Sequence, residues 1–175
     1  GAMVALDRAV PLAPSLQAFY AQLRAETAIL IGDAEAALTW SKRILNHPVY
    51  GQLAHRIKAR ALRELGHLSE ARALYEQFLA TDSKEEVPSA LLGLARLAHT
   101  ENEPQRAMTY LRRLDIEYPI HWSRPAARKL RLKIEAKDNR LSTLFSRRTP
   151  EDIVNRAEAF LKLHRNKEVV SILKT

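Results

Sequence analysis

Apolar side chains recur at helical spacing along the chain, and the clearest example lies within residues 66–80. Ala71, Tyr75 and Phe78 follow one another at intervals of four and three residues, which places them on one face of a helix. Ala59 lies twelve residues before Ala71, on the helix that would precede this one. A large side chain at both positions would push the two helices apart. The pattern therefore predicts two antiparallel helices in close contact.

The same arrangement of two small residues, twelve positions apart, recurs along the chain. The pairs are Ala25 and Ala37, Ala59 and Ala71, Ala95 and Ala107, and Ala157 and Val169. The first three pairs follow one another at intervals of 34 and 36 residues. A period of this length indicates an array of repeated helical hairpins. Residues 123–148 leave room for one more pair, whose second helix would be short.

The whole chain, interpreted in this way, predicts about five antiparallel helix pairs. The predicted helices occupy about residues 15–31, 33–46, 50–65, 68–81, 88–100, 104–117, 123–137 and 139–146, and a last pair spans 150–173. Glycine is scarce, and no alternating β-branched runs appear. The sequence therefore predicts an all-α protein, and within that class an α-solenoid of stacked helix pairs.

The two ends of the chain differ from the repeated part. Residues 1–3 are typical of an expression scar, and residues 4–14, which contain two prolines, form a predicted leader. Residues 15–175 form a single predicted helical repeat domain. An apolar run at 169–173 comes just before the last residue, although the terminal repeat of a solenoid needs a polar cap. We therefore expect a fragment of a longer protein, or another surface, such as a second copy of the chain, that covers this face.

The repeated helix pairs resemble the tetratricopeptide repeat, a helix–turn–helix unit of about 34 residues. In that family the first helix of each pair lines a concave groove that holds a partner peptide. By phase, the resemblance assigns seven residues to such a groove: Leu53, Arg56, Arg60, Arg63, Leu92, Arg96 and His99. Arginine side chains suit acidic groups or the free carboxylate of a peptide. The alternative is a hydrated groove in which the arginines pair with Glu64 and other neighbours.

Positive charge is concentrated near the end of the chain. Residues 120–175 hold 14 basic and 6 acidic side chains and carry the whole net charge of +8, because residues 1–119 are balanced. The densest stretch contains a predicted basic face of seven residues: Arg124, Arg128, Lys129, Arg131, Lys133, Arg147 and Arg148. Such a face suits an acidic protein, a nucleic acid or an anionic cell-wall polymer. The alternative is a solvated helix around an apolar stripe, and no aromatic residues interleave as single-strand binding requires.

The chain has no clear catalytic or metal-binding pattern. It has no cysteine, and its six histidines are scattered at turns and helix ends. The HExxH, phosphate-loop and nucleophile-elbow motifs are missing. No apolar run approaches the roughly 18 residues that a membrane span needs. We therefore expect this chain to have no enzymatic activity of its own, no cofactor, no metal site and no membrane span.

Residues 110–134 and 149–173 are also similar to the helical region that precedes the catalytic domain of soluble lytic murein transglycosylases. In that family the helix pairs form a support, and a C-terminal domain cleaves peptidoglycan through a glutamate in a Glu-Ser motif. No Glu-Ser pair occurs in this chain. The resemblance implies a non-catalytic, periplasmic scaffold that binds a protein or peptide, with peptidoglycan as a further ligand. The alternative is a cytoplasmic regulatory or nucleic-acid-associated adaptor that uses the basic face.

Overall fold

The computed structural model describes residues 16–81, 83–146 and 148–174, and these residues form ten helices and no strand. In chain order the helices are α1 Gln17–Ile31, α2 Ala34–Lys42, α3 Gly51–Glu64, α4 Leu68–Leu79, α5 Glu86–Thr100, α6 Pro104–Glu117, α7 Arg124–Glu135, α8 Arg140–Ser146, α9 Pro150–Leu161 and α10 Asn166–Leu173. Neighbouring helices pack against each other as hairpins, α1 on α2, α5 on α6 and α9 on α10. The prediction of an all-α, solenoid-like chain is therefore confirmed.

The chain divides into two compact units, Gly1–Gln77 and Phe78–Thr175. The predicted expression scar and leader lie outside the described residues. The description of residues 15–175 as one domain stays a prediction.

The first unit is built around the α1–α2–α3 packing, in which each of these helices contacts the other two. Its largest described apolar cluster comprises Ala25, Ala28, Ile29, Ala34, Ala37, Ile57 and Ala61. Ala25 and Ala37 have no exposed surface, as expected for the small pair that lets two helices approach closely. Gly32, with a φ of +82°, ends α1, and the Asp33 carboxylate then accepts a hydrogen bond of 2.9 Å from the Ala36 amide.

The core of the second unit is formed mainly by the α5–α6 hairpin. Its buried cluster comprises Val87, Leu91, Leu92, Ala95, Ala98, Ala107, Met108, Leu111, Leu114, Ala127, Ile134 and Leu141. The small pair Ala95 and Ala107 is fully buried in this cluster. Helices α7 and α8 pack against α6 and contribute Ala127, Ile134 and Leu141. The apolar stripe among the basic residues of 124–148 is therefore part of the core.

The last pair, α9–α10, has a small apolar cluster of its own, formed by Ala157, Phe160 and Val169. Helix α9 begins at a capping box, in which the Thr149 hydroxyl accepts from the Asp152 amide and the Asp152 carboxylate accepts from the Thr149 amide. This confirms the start that the sequence predicts. Among the helices outside its own pair, α9 packs on α6. The pair is thus joined to a helix three positions earlier in the chain.

Some helix ends differ from the predicted positions. Helix α2 ends at Lys42 rather than near 46, because tight turns follow it, with Ile44 donating to the Ser41 carbonyl and His47 to the Ile44 carbonyl. Helix α7 ends at Glu135, two residues before its predicted end, in a similar turn. By contrast, α6 begins and ends at the predicted residues. Pro104 is its first residue, and the Tyr118–Pro119 step ends it. None of the described helices is long and apolar enough to cross a membrane.

The small pairs predict a specific sensitivity to side-chain size. We expect Ala107→Leu to lower the free energy of unfolding by about 1–3 kcal/mol, because the added atoms have no space between α5 and α6. Urea unfolding followed by circular dichroism measures this change. Thr109→Leu, at an exposed position of the same helix, is the matched control. Equal stability of both variants would contradict the close packing of this hairpin.

Candidate functional site

A cavity of about 780 Å³ lies among α6, α7, α8 and α9 of the second unit. Six cationic side chains and one carboxylate line it: Arg124, Arg128, Lys129, Arg131, Arg148, Arg156 and Asp115. We refer to it as the basic cavity. Its remaining lining is largely apolar and includes Leu111, Leu114, Ala127, Leu132 and Phe145. The cavity therefore combines a strongly positive wall with an apolar one.

Helix α7 supplies most of the positive charge. Arg124, Arg128 and Arg131 follow one another at intervals of four and three residues, so they share one face of this helix. Lys129 is the neighbour of Arg128. The helix is fixed against the core by Ala127 and Ile134, which are buried. Burial of this apolar stripe therefore directs the basic residues beside it into the cavity.

Asp115, on α6, is the common partner of three arginines. Its Oδ1 accepts a hydrogen bond of 2.7 Å from Arg124, and its Oδ2 accepts bonds of 2.7 Å from Arg156 and 3.2 Å from Arg148. Arg156 also donates to the Asp115 backbone carbonyl at 2.7 Å. Helix α9 is joined to α6 by this contact and by an ion pair between Arg112 and Asp152. These charged contacts connect the last helix pair to the rest of the unit.

The surroundings of Asp115 favour its charged form. Burial alone raises the pKa of this carboxyl group, but the charge of Arg156 and the hydrogen bond and charge of Arg124 lower it more, with a further contribution from Arg148. The net result is a pKa below the ordinary value for aspartate. The carboxylate therefore remains ionised and hydrogen-bonded at neutral pH.

The other three cations of the cavity have fewer internal partners. Arg131 lies over the Phe145 ring, 4.3 Å from its centroid, and forms a long ion pair of 3.8 Å with Glu135. Arg128 and Lys129 are exposed, and within the described part of the chain no carboxylate pairs with either. These two side chains are therefore available to an anionic ligand.

The structure brings together five residues of the predicted basic face: Arg124, Arg128, Lys129, Arg131 and Arg148. Lys133 belongs to the same helix but does not line the cavity, and Arg147 lies outside the described residues. Sequence reasoning missed Asp115 and Arg156, which lie 41 residues apart. No local pattern connects them, because their contact depends on how α9 packs on α6.

The predicted groove residues of the first unit are on α3. Leu53 packs against the apolar cluster of that unit and is partly buried. Glu64 accepts from Arg60 at 3.0 Å and from Arg63 at 3.1 Å, so the predicted alternative of internal pairing occurs for both arginines. Arg60 also donates to the Ile29 carbonyl of α1 at 3.5 Å. Arg56 is partly buried.

The remaining groove candidates, Leu92, Arg96 and His99, are on α5 of the second unit. Leu92 is only 6% exposed and belongs to the core, because its position on α5 faces α6 and α7. Arg96 is partly buried. Burial lowers the pKa of His99, and the charges of Lys133 and Lys137 lower it further, so this imidazole is neutral at pH 7. The arginine-lined groove itself stays a prediction.

The described residues contain no group of three or more histidine, aspartate or glutamate side chains that could hold a metal ion. The basic cavity contains a single carboxylate, which its arginines already engage, and no histidine lines it. Its chemistry is therefore suited to binding an anion by charge and hydrogen bonding.

The contacts of Asp115 predict a pH dependence of stability. Because its folded pKa is lower than its unfolded pKa, its stabilising contribution is present above about pH 4 and is lost as the pH falls through the lower folded value. We expect Asp115→Asn to be less stable than the parent at about pH 7 and to lose less stability on acidification. Urea unfolding at a series of pH values measures both effects. An equally steep acid loss in the two proteins would contradict this role.

Residues 58–119 match the sequence profile of the family described as tetratricopeptide repeat. Searches of curated proteins and of solved structures found no match to the chain. Repeats of this kind are typically non-catalytic and support protein–protein interaction. Together with its packed helical hairpins, this match identifies the chain as a tetratricopeptide-like helical repeat protein.

Proposed function

We propose that this chain is a non-catalytic scaffold that binds an acidic segment of a protein partner in the basic cavity. The observation that carries the proposal is the charge of the lining, in which six cations surround one carboxylate. An anionic segment would compensate the excess charge. The repeat match supports a protein as the partner.

The cations of the cavity have two different roles in this proposal. Arg124, Arg148 and Arg156 engage Asp115 and hold the cavity wall in place. Arg128 and Lys129 contact the partner. A guanidinium group binds a carboxylate through two parallel hydrogen bonds, which gives both affinity and orientation. Carboxylates of glutamate or aspartate, or the C-terminus of the partner, fit this chemistry.

A peptide fits the cavity better than a nucleic acid does. The apolar lining includes Leu132, which is 49% exposed, and the exposed Pro125, and these two side chains offer contact area to the aliphatic side chains of a peptide. A single-stranded nucleic acid requires aromatic surfaces on which its bases stack. Phe145 is the aromatic residue of the lining, and Arg131 lies over its ring.

The setting that we propose for this scaffold is the bacterial envelope. Its support is the resemblance of residues 110–134 and 149–173 to the helical region of soluble lytic murein transglycosylases. In that setting the chain would be periplasmic, and the carboxylates of peptidoglycan stem peptides would be further ligands for the cavity. A cytoplasmic adaptor is the alternative. Self-association through α10 is a further proposal, supported by the exposed side chains of Val170 and Leu173.

The test compares two double variants with the same change in charge. Arg128→Glu with Lys129→Glu changes the cavity lining, whereas Lys133→Glu with Lys137→Glu changes nearby residues that do not line it. The probe is a fluorescein-labelled hexaglutamate peptide, and fluorescence anisotropy at physiological salt gives its affinity. We expect the cavity variant to bind about tenfold more weakly or worse, and the control variant to lose much less.

Equal losses in the two variants would show that binding depends on overall charge, and would contradict the cavity as the site. Tighter binding of a single-stranded oligonucleotide than of the peptide, with the same dependence on Arg128 and Lys129, would favour the nucleic-acid alternative. Circular dichroism of each variant confirms that the helices are retained.

A further inference from the structure

The second unit contains another cavity, of about 760 Å³, between the start of α5, the loop after α6 and helix α9. We refer to it as the Trp122 cleft, and the residues that matter for its chemistry are Lys84, Glu85, Ile120, Trp122, Glu158 and Leu163. It shares no lining residue with the basic cavity. The cleft is therefore a separate site on the same unit.

Trp122 is 65% exposed, yet it is held in a fixed position. Its indole N–H donates to Glu85 Oε2 at 3.2 Å. The Nε2 atom of His121 lies 3.4 Å from the same oxygen. The centroid of the His121 ring is 5.0 Å from the centroid of the Trp122 ring. A large aromatic side chain that is both exposed and fixed loses little conformational entropy when a partner binds. Such residues dominate the energy of many protein interfaces.

The tautomer of His121 contributes to this arrangement. Its Nδ1 accepts a hydrogen bond of 3.2 Å from the Ser123 backbone amide, which can only donate. In the neutral ring, Nε2 must then carry the proton, and it donates to Glu85. Two donors, from Trp122 and His121, therefore converge on one carboxylate oxygen and orient the indole.

Apolar side chains line the cleft together with the indole. Ile120 is 50% exposed and Leu163 is 37% exposed, and both line the cleft with Trp122. Ile120 belongs to the loop between α6 and α7, and Leu163 belongs to the turn that follows α9. Exposed apolar groups that line a concave surface are typical of a site for a side chain of a partner.

The cleft lacks the excess of positive charge that the basic cavity has. Three carboxylates, from Glu85, Glu117 and Glu158, line it with two lysines, from Lys84 and Lys162. Glu117 pairs with Arg113, and Glu85 holds Trp122. No cation among the described residues pairs with Glu158. This carboxylate lines the same cleft as an exposed indole, and the combination favours a cationic group.

We infer that the Trp122 cleft docks a segment of a protein partner that carries a lysine or arginine next to an aliphatic side chain. The alkyl part of the cationic residue lies on the indole, where its charge also interacts with the aromatic ring. Its charged end reaches Glu158. The aliphatic neighbour contacts Ile120 and Leu163. This inference does not depend on the proposed function of the basic cavity, because the two sites take ligands of opposite charge.

The experiment follows the indole N–H signals of the ¹⁵N-labelled chain by nuclear magnetic resonance. The chain has two tryptophans, so its spectrum has two such signals, and Trp122→Phe assigns the one that belongs to the cleft. The probes are a blocked hexapeptide of alternating lysine and leucine, the same peptide with glutamate in place of lysine, and a trimer of N-acetylglucosamine. Of the three probes, we expect only the lysine–leucine peptide to shift the Trp122 signal, and we expect the shift to saturate as its concentration rises.

Glu158→Lys should weaken this binding by about fivefold, because a favourable charge pair becomes a repulsive one. Glu76→Lys, which changes an exposed glutamate outside the cleft, is the matched control and should leave the affinity unchanged. Equal binding of the glutamate peptide, or a Trp122 shift caused only by the sugar, would overturn the inference. So would a Trp122 signal that no peptide moves, or equal affinities in the two charge-reversal variants.

Discussion

The contact between Asp115 and Arg156 determines where the last helix pair lies within the second unit. Helices α9 and α10 have their own small apolar cluster, and the buried cluster around α5 and α6 contains none of their described residues. Charged hydrogen bonds to Asp115, and the pair of Arg112 with Asp152, join α9 to α6 instead. Because α9 lines both the basic cavity and the Trp122 cleft, both sites depend on this connection.

A single carboxylate among three arginines also explains the chemistry of the basic cavity. Asp115 is mostly buried and must keep its charge compensated, since a partly buried ion without partners is costly. Arg124, Arg148 and Arg156 provide that compensation and leave an excess of positive charge. The excess is located at Arg128 and Lys129, with which no carboxylate of the described residues pairs. In the proposed function, structural ion pairing and ligand binding thus belong to different residues of one cavity.

The sequence was most informative where structure depends on neighbouring residues. Small pairs such as Ala95 and Ala107 predicted the close hairpins, and the start of the last pair at residue 150 was also predicted, because helix spacing and helix starts are local properties. The position of α9 on α6 could not be predicted, since Asp115 and Arg156 meet only through tertiary packing. Leu92 is a second example of what the sequence could not predict. Its position within the repeat predicted a groove residue, whereas the neighbouring helices bury it.

Hydrogen–deuterium exchange of Asp115→Ala tests most directly whether this carboxylate holds the last helix pair. Asp138→Ala is the matched control, because Asp138 pairs with Arg140, which lies two residues later in the chain. The account predicts that amides of α9 and α10 exchange about tenfold faster in Asp115→Ala, while those of α5 and α6 keep their protection. Unchanged protection of α9 and α10, or an equal loss of protection across all the helices of the unit, would contradict it.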